Sequence, residues 1–146
     1  MKELNFIKIG NRKIGPSFRP LVIFELGINH SGSLKIAKKI VDEAIKAGAE
    51  IIKHQTHIPE DEMSLEAKKI VPINSNKNIY DLIKECSLNE AEELELKRYI
   101  EKKGAIFLST PFSRKAADRL LKFRVKAFKI GSGECNNYPL VDYIAS

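Results

Sequence analysis

No tryptophan occurs among these 146 residues, and there are only two cysteines. Cys86 and Cys135 stand far apart and outside any CxxC pair, so they build neither a disulfide framework nor a zinc ribbon. Reduced thiols in a cytoplasm are the expectation that follows. No hydrophobic run approaches the ~20 residues that a membrane-spanning helix needs, and no membrane association is expected. The opening Met1-Lys2-Glu3-Leu4-Asn5-Phe6 has a charge pair and no long apolar stretch, so no secretory signal is expected either. The dinucleotide-binding GxGxxG spacing is absent from Glu25-Leu26-Gly27-Ile28-Asn29-His30. His54 and His57 miss the i, i+4 spacing of a helical zinc-protease motif. Also missing is a cationic stripe interleaved with aromatics. The lysines fall in scattered pairs such as Lys38-Lys39, Lys68-Lys69 and Lys102-Lys103, near glutamates, as on solvated helix faces. The net charge of +6 therefore points to attraction for a small anion and not to nucleic acid.

What is present alternates. With 43% hydrophobic and 30% charged residues, the chain has the composition of a globular domain with a real core. Phe6–Ile9, a Gly10-Asn11 turn and Lys13–Gly15 read as a β-hairpin, and Pro16 and Pro20 bracket a linker. Residues 1–19 are assigned to this hairpin and linker. Apolar runs at Leu21–Phe24, Glu50–Lys53, Ala105–Leu108 and Ala127–Ile130 read as strands. Helical spacing follows Ser33 as far as Gly48, resumes at Ile79, breaks near Ser87 and runs from Glu90 to Lys103. Two more helices are expected from Arg114 to Lys122 and from about Pro139. Between Thr56 and Lys77 lies a long polar insertion without periodicity, the kind of loop that often serves as a lid.

Four strands, each followed by a helix, imply parallel pairing through right-handed crossovers. That leaves the first half of a (β/α)8 barrel, or an open doubly wound sheet. Barrels place their chemistry on the loops after several different strands, and all four strands here end in polar groups. These are Glu25, Asn29 and His30; Lys53, Gln55 and His57; Thr110, Ser113 and Arg114; Lys129, Ser132 and Glu134. The barrel fits better, and residues 20–146 are assigned to its N-terminal half. Two lysines, hydroxyls and the amides of a Gly-Ser-Gly turn would hold a phosphate and a carboxylate together. Glu25 and Glu134 could move a proton or orient a hydroxylated partner. Taken singly, each residue has a plainer reading: a surface carboxylate, a solvated lysine, a structural histidine.

Together, Glu25–Gly32, Lys53–His57, Ser109–Ser113 and Lys129–Asn137 closely resemble the bacterial sialic acid synthase (N-acetylneuraminate synthase) family, from about Pro20 to Ser146. Ser31 departs from the asparagine common there. The resemblance implies condensation of phosphoenolpyruvate with the open-chain aldehyde of an N-acetylated amino sugar, N-acetylmannosamine. Carbon 3 attacks the aldehyde, water attacks carbon 2, and phosphate leaves by C–O cleavage. It implies that Lys53, Thr110, Lys129 and Ser132 hold phosphoenolpyruvate, that Glu25, Gln55 and Asn74 contact the sugar, and that Glu134 is the acid/base. It further implies a homodimer and a divalent metal, manganese or magnesium, whose histidine ligands belong to the second half of the barrel. No metal ligand is expected in this chain. Legionaminate or pseudaminate synthesis is the alternative within the same chemistry, with His54 and His57 favouring the sialic acid branch. An inactive chain that only binds ligand or a partner chain is the alternative outside it.

Overall fold

The computed structural model describes residues 5–146; Met1–Leu4, the start of the stretch read against a secretory signal, lie outside it. The hairpin consists of β1 (Ile7–Ile9) and β2 (Arg12–Ile14), paired antiparallel with Ile7 opposite Ile14. Gly10 makes its turn possible with a φ of +58°, a region other residues enter reluctantly. Arg12 anchors the hairpin by donating from Nε to Oε2 of Glu50 at 2.8 Å, and Arg19 reaches the same carboxylate at 3.2 Å. Glu50 immediately precedes the second strand of the main sheet, so the hairpin sits at the N-terminal end of that sheet.

The main sheet is β3 (Ile23–Gly27), β4 (Ile51–Thr56) and β5 (Ile106–Pro111), all parallel and adjacent in chain order. Helices α1 (Leu34–Lys46), α4 (Glu90–Lys102) and α5 (Arg114–Lys122) pack on one face of it. Leu26, Ile52 and Phe107 from the strands meet Ala37, Val41, Leu96, Ile100 and Leu120 from these helices in a single core. Sequential parallel strands with their helices on one side are the progression of a (β/α)8 barrel, not of a doubly wound sheet. The fold is the N-terminal part of such a barrel, preceded by a hairpin.

Local chemistry explains the helix limits. Ser33, Asn89 and Ser113 each accept a backbone N–H at the start of α1, α4 and α5, and Asn89 forms a reciprocal capping box with Glu92. Past the end of α1, Gly48 takes a φ of +95° and turns the chain towards β4. The insertion after β4 is not structureless. It holds the short helix α2 (Pro59–Glu62) and a 3-10 segment, Leu65–Lys69, before α3 (Ile79–Cys86). Proline at the first helical position, followed by three acidic residues in the first turn, is a helix start in its own right.

The strands differ from the expected runs in one consistent way. Each of the three continues three residues past the end of its expected run: Glu25–Gly27, His54–Thr56, Ser109–Pro111. Backbone pairing continues because the polar side chains find partners, Glu25 with Lys53 and Thr56 with Ser109. The segment 127–130, expected as a fourth strand, contributes one parallel bridge between Phe128 and Ser109, with the Lys129 N–H donating to the Ser109 carbonyl at 3.0 Å. Among the described residues β5 is the only strand it pairs with, and the chain turns away at Gly131. The last helix, α6 (Tyr138–Ala145), follows a 3-10 turn at Ser132–Glu134.

Candidate active site

Strand alternation sorts the polar residues at the C-terminal end of the sheet into two layers. Ile52, His54 and Thr56 of β4 lie level with Phe107, Ser109 and Pro111 of β5 and face the helices. Lys53 and Gln55 lie level with Leu108 and Thr110 and face the other way, towards what is the interior in a barrel. Glu25 of β3 is level with Lys53, and the two are joined in an ion pair. Glu25, Lys53, Gln55 and Thr110 therefore share one face through register alone.

Gly27 marks where three of the polar side chains meet. A Cβ at this position would lie 3.2 Å from Glu25 Oε1, 3.6 Å from Gln55 Nε2 and 3.7 Å from Asn29 Nδ2. Its φ is +55°, and the pairing of β3 with β4 shifts register between Glu25 and Gly27. Glycine thus serves both the backbone turn and the close approach of the side chains.

A second group gathers around Gly131. A Cβ there would meet Thr110 Cγ2 at 3.4 Å, Phe112 Cε1 at 3.5 Å and Glu134 Cγ at 3.6 Å. Glu134 accepts a 2.7 Å hydrogen bond from Asn137 Nδ2, and Asn137 in turn caps α6. The Thr110 hydroxyl is buried and has no hydrogen-bond partner among the described residues, an uncommon state for a buried hydroxyl. Ser132 is exposed at the start of the 3-10 turn, and Lys129 is half-buried beside the bridge to β5. His57 joins the two groups. Its ring stacks on Phe112 with centroids 4.2 Å apart, while its Nε2 lies 3.1 Å from Gln55 Oε1.

Asn74 is not brought to this cluster. It sits exposed in a turn closed by Ser75 N–H donating to the Pro72 carbonyl, and no hydrogen bond among the described residues ties it to the strand ends. His30 and His54 lie on the helix side. Their rings are 5.3 Å apart and fully buried, and burial holds both below the ordinary histidine value, His54 at about 3. Beneath them runs a buried network that the sequence reading missed. Glu93 of α4 accepts from the Thr56 hydroxyl and, at 3.1 Å, from Arg119 Nη1, and lies 3.6 Å from His54 Nε2. Burial raises the Glu93 carboxyl above the usual range. Glu62, the partner of His57, was missed as well.

A polar cluster of this composition, on successive strand ends of a half-barrel, can neutralise a dianion and present a carboxylate to it. The family model that matches residues 40–146 is that of the NeuB family. The chain belongs to the NeuB family. It is 42% identical to an uncharacterized protein of Methanocaldococcus jannaschii over 95% of this chain and 38% of that one. It is 33% identical to the N,N'-diacetyllegionaminic acid synthase of Campylobacter jejuni over 87% of this chain and 39% of that one. Among solved structures, the N-acetylneuraminic acid synthetase of Leptospira borgpetersenii superposes with a TM-score of 0.82 at 32% identity, covering 97% of this chain and 46% of that one. The chain thus spans less than half the length of these NeuB relatives.

Among the described residues no three His, Cys, Asp or Glu side chains converge as a metal site requires. Nor is any helix among them long and apolar enough to cross a membrane.

Proposed function

We propose that this chain carries the phosphoenolpyruvate-holding half of an enzyme that condenses phosphoenolpyruvate with an N-acetylated amino sugar aldehyde. The observation that supports it is the shared face of Glu25, Lys53, Gln55 and Thr110, set by strand register. In this reading Lys53, Lys129, the Thr110 hydroxyl and Ser132 hold the phosphate and carboxylate of phosphoenolpyruvate. Charge-assisted hydrogen bonds to a dianion are the strong kind. Glu25 and Gln55 meet the sugar, and Asn74 joins them only if its turn folds towards the mouth.

The proton balance leaves a role for one carboxyl group. The aldehyde oxygen gains a proton when carbon 3 attacks, and the water that adds to carbon 2 loses one. Glu134, beside Thr110 and Gly131, is the group we assign to this exchange. The metal and the dimer that the resemblance implies belong to the same proposal.

For the sugar we propose N-acetylmannosamine, giving N-acetylneuraminate. A second reading, a 2,4-diacetamido sugar, is favoured by the legionaminic acid synthase of Campylobacter jejuni among the relatives. The burial of His54 on the helix side removes it as a direct reader of the sugar. Phosphate release from phosphoenolpyruvate, measured with each sugar in turn, tests the assignment. Release that depends on N-acetylmannosamine supports it. Dominant turnover of the diacetamido sugar overturns the sugar, and absence of any sugar-dependent release overturns the reaction.

A further inference from the structure

The short helix α2 is pinned by each of its three acids to a different part of the fold. Glu60 accepts from Lys84 of α3 at 3.0 Å, and Asp61 pairs with Lys115 of α5 at 3.1 Å. Glu62 turns inward. Its Oε1 lies 2.8 Å from His57 Nδ1, and its Oε2 accepts the Ile58 N–H at 3.2 Å. Both partners of that inward pair are buried. Glu62 is therefore placed by its helix, and the helix by its two neighbours.

The carboxylate of Glu62 only accepts hydrogen bonds, so His57 Nδ1 carries the proton that lies between them. The other ring nitrogen, Nε2, meets the end of the Gln55 amide at 3.1 Å. Stacking on Phe112, with the planes 10° apart, prevents the ring from turning away. One end of the Gln55 amide is thus occupied. The opposite end lies beside Glu25 and Asn29 over Gly27, at the mouth. Whichever atom of the amide faces the histidine, the side chain is left one direction in which to offer its free end.

We propose that His57, held by Glu62, is a positioning residue that sets the reach of Gln55 and so the geometry of the amino-sugar subsite. This rests on the reading of Gln55 as a sugar contact given above. A histidine in this place fits the task better than a purely apolar filler. It stacks like an aromatic ring, and it also carries two directed ring nitrogens, one meeting Glu62 and the other Gln55, which a hydrocarbon edge cannot supply. The insertion after β4 then acts on substrate recognition from behind, without touching substrate.

Two variants separate positioning from packing. His57→Phe keeps a ring against Phe112 and removes both hydrogen bonds; Glu62→Gln keeps the shape of the side chain and removes the charge. The first readout is the side-chain amide signal of Gln55 by NMR, which makes no reference to the sugar. We expect its resonance and solvent exchange to move to the values of a free side chain in His57→Phe, and part of the way in Glu62→Gln. The second is the KM for N-acetylmannosamine, expected to rise about tenfold in His57→Phe as one directed hydrogen bond is lost. The KM for phosphoenolpyruvate should stay within about twofold, the pattern of a change confined to one substrate. An unchanged Gln55 signal in both folded variants overturns the clamp. If the signal moves but neither His57→Phe nor Gln55→Ala alters the amino-sugar KM, the clamp stands and the sugar assignment of Gln55 falls.

Discussion

Glu25 and Lys53 stand opposite one another on adjacent parallel strands, and carboxylate and ammonium are joined in an ion pair. The lysine side chain is only 11% exposed and the glutamate 47%, so the cation is the enclosed partner and the anion the replaceable one. In the proposed reaction an incoming carboxylate or phosphate takes the place of Glu25 on Lys53. Glu25 is then released towards Gln55 and Asn29, the other polar groups over Gly27. Its removal should act in opposite directions on binding and on turnover. Glu25→Gln is expected to tighten phosphoenolpyruvate binding by at most about 1 kcal/mol, the scale of a partly exposed pair, while lowering sugar-dependent phosphate release. Calorimetry beside a turnover assay checks both. Weaker binding in this variant would show that Glu25 aids the anion instead of standing in for it.

Lys129 should behave differently, since its role is attraction alone. Lys129→Ala is expected to weaken phosphoenolpyruvate binding by about 1.5–3 kcal/mol, the range for hydrogen bonds to charged groups. Raising the salt concentration should narrow the gap between wild type and variant. A titration at two ionic strengths measures it, and an unchanged affinity removes Lys129 from the anion site.

Glu134 belongs to the chemical step. Glu134→Gln keeps the shape of the side chain and can still accept from Asn137, so the 3-10 turn is expected to persist. Turnover should fall by about 10²-fold or more, the usual worth of a placed acid/base, with little change in either KM. Steady-state kinetics decide it; a variant with full turnover takes the acid/base role from Glu134.

The buried histidines make a prediction about stability. His54 is held at about 3, chiefly by burial and then by His30 and His57 nearby. In the unfolded chain the same ring takes up a proton near pH 6.5. The stability that comes from keeping His54 neutral is therefore complete above pH 6.5 and is lost as the pH falls from there towards 3. The slope is up to about 1.4 kcal/mol per pH unit for one proton. His30, lowered in the same direction, adds to it over its own interval. Glu93 works in the opposite sense: its carboxyl is raised by burial, so its ionisation costs the fold stability as the pH rises. Urea unfolding between pH 4 and 7 should show a shallower acid decline in His54→Gln than in wild type. Identical slopes would contradict the assignment.

The core layers of this fold were legible because burial leaves a periodic trace. Ala37, Val41 and Ala44 repeat along α1, and Ile51-Ile52 and Phe107-Leu108 are runs that only a covered strand sustains. The same logic stops at the strand ends. Lys53, His54, Gln55 and Thr56 are all polar, and hydropathy does not show which of them look inward and which meet the helices. Pairing register decides that, and it separated Lys53 and Gln55 from His54 and Thr56. Glu93 was hidden for a related reason. It lies in an acidic run, Glu90 to Glu95, and only its helical phase with Leu96 and Ile100 marks it as the buried member. Glu62 reads as ordinary N-terminal charge on α2 until its inward turn is seen. The segment 127–130 has the composition of a strand but, among the described residues, pairs with β5 alone and through a single bridge, which composition cannot reveal.

Titration of this chain with phosphoenolpyruvate, followed by calorimetry on wild type, Lys53→Ala and Lys129→Ala, tests the central claim most directly. The account predicts saturable binding by wild type that is lost or strongly weakened in both variants, each still folded by circular dichroism. A folded wild type that does not bind, or variants that bind as tightly as wild type, would contradict the assignment of the anion site to these strand ends.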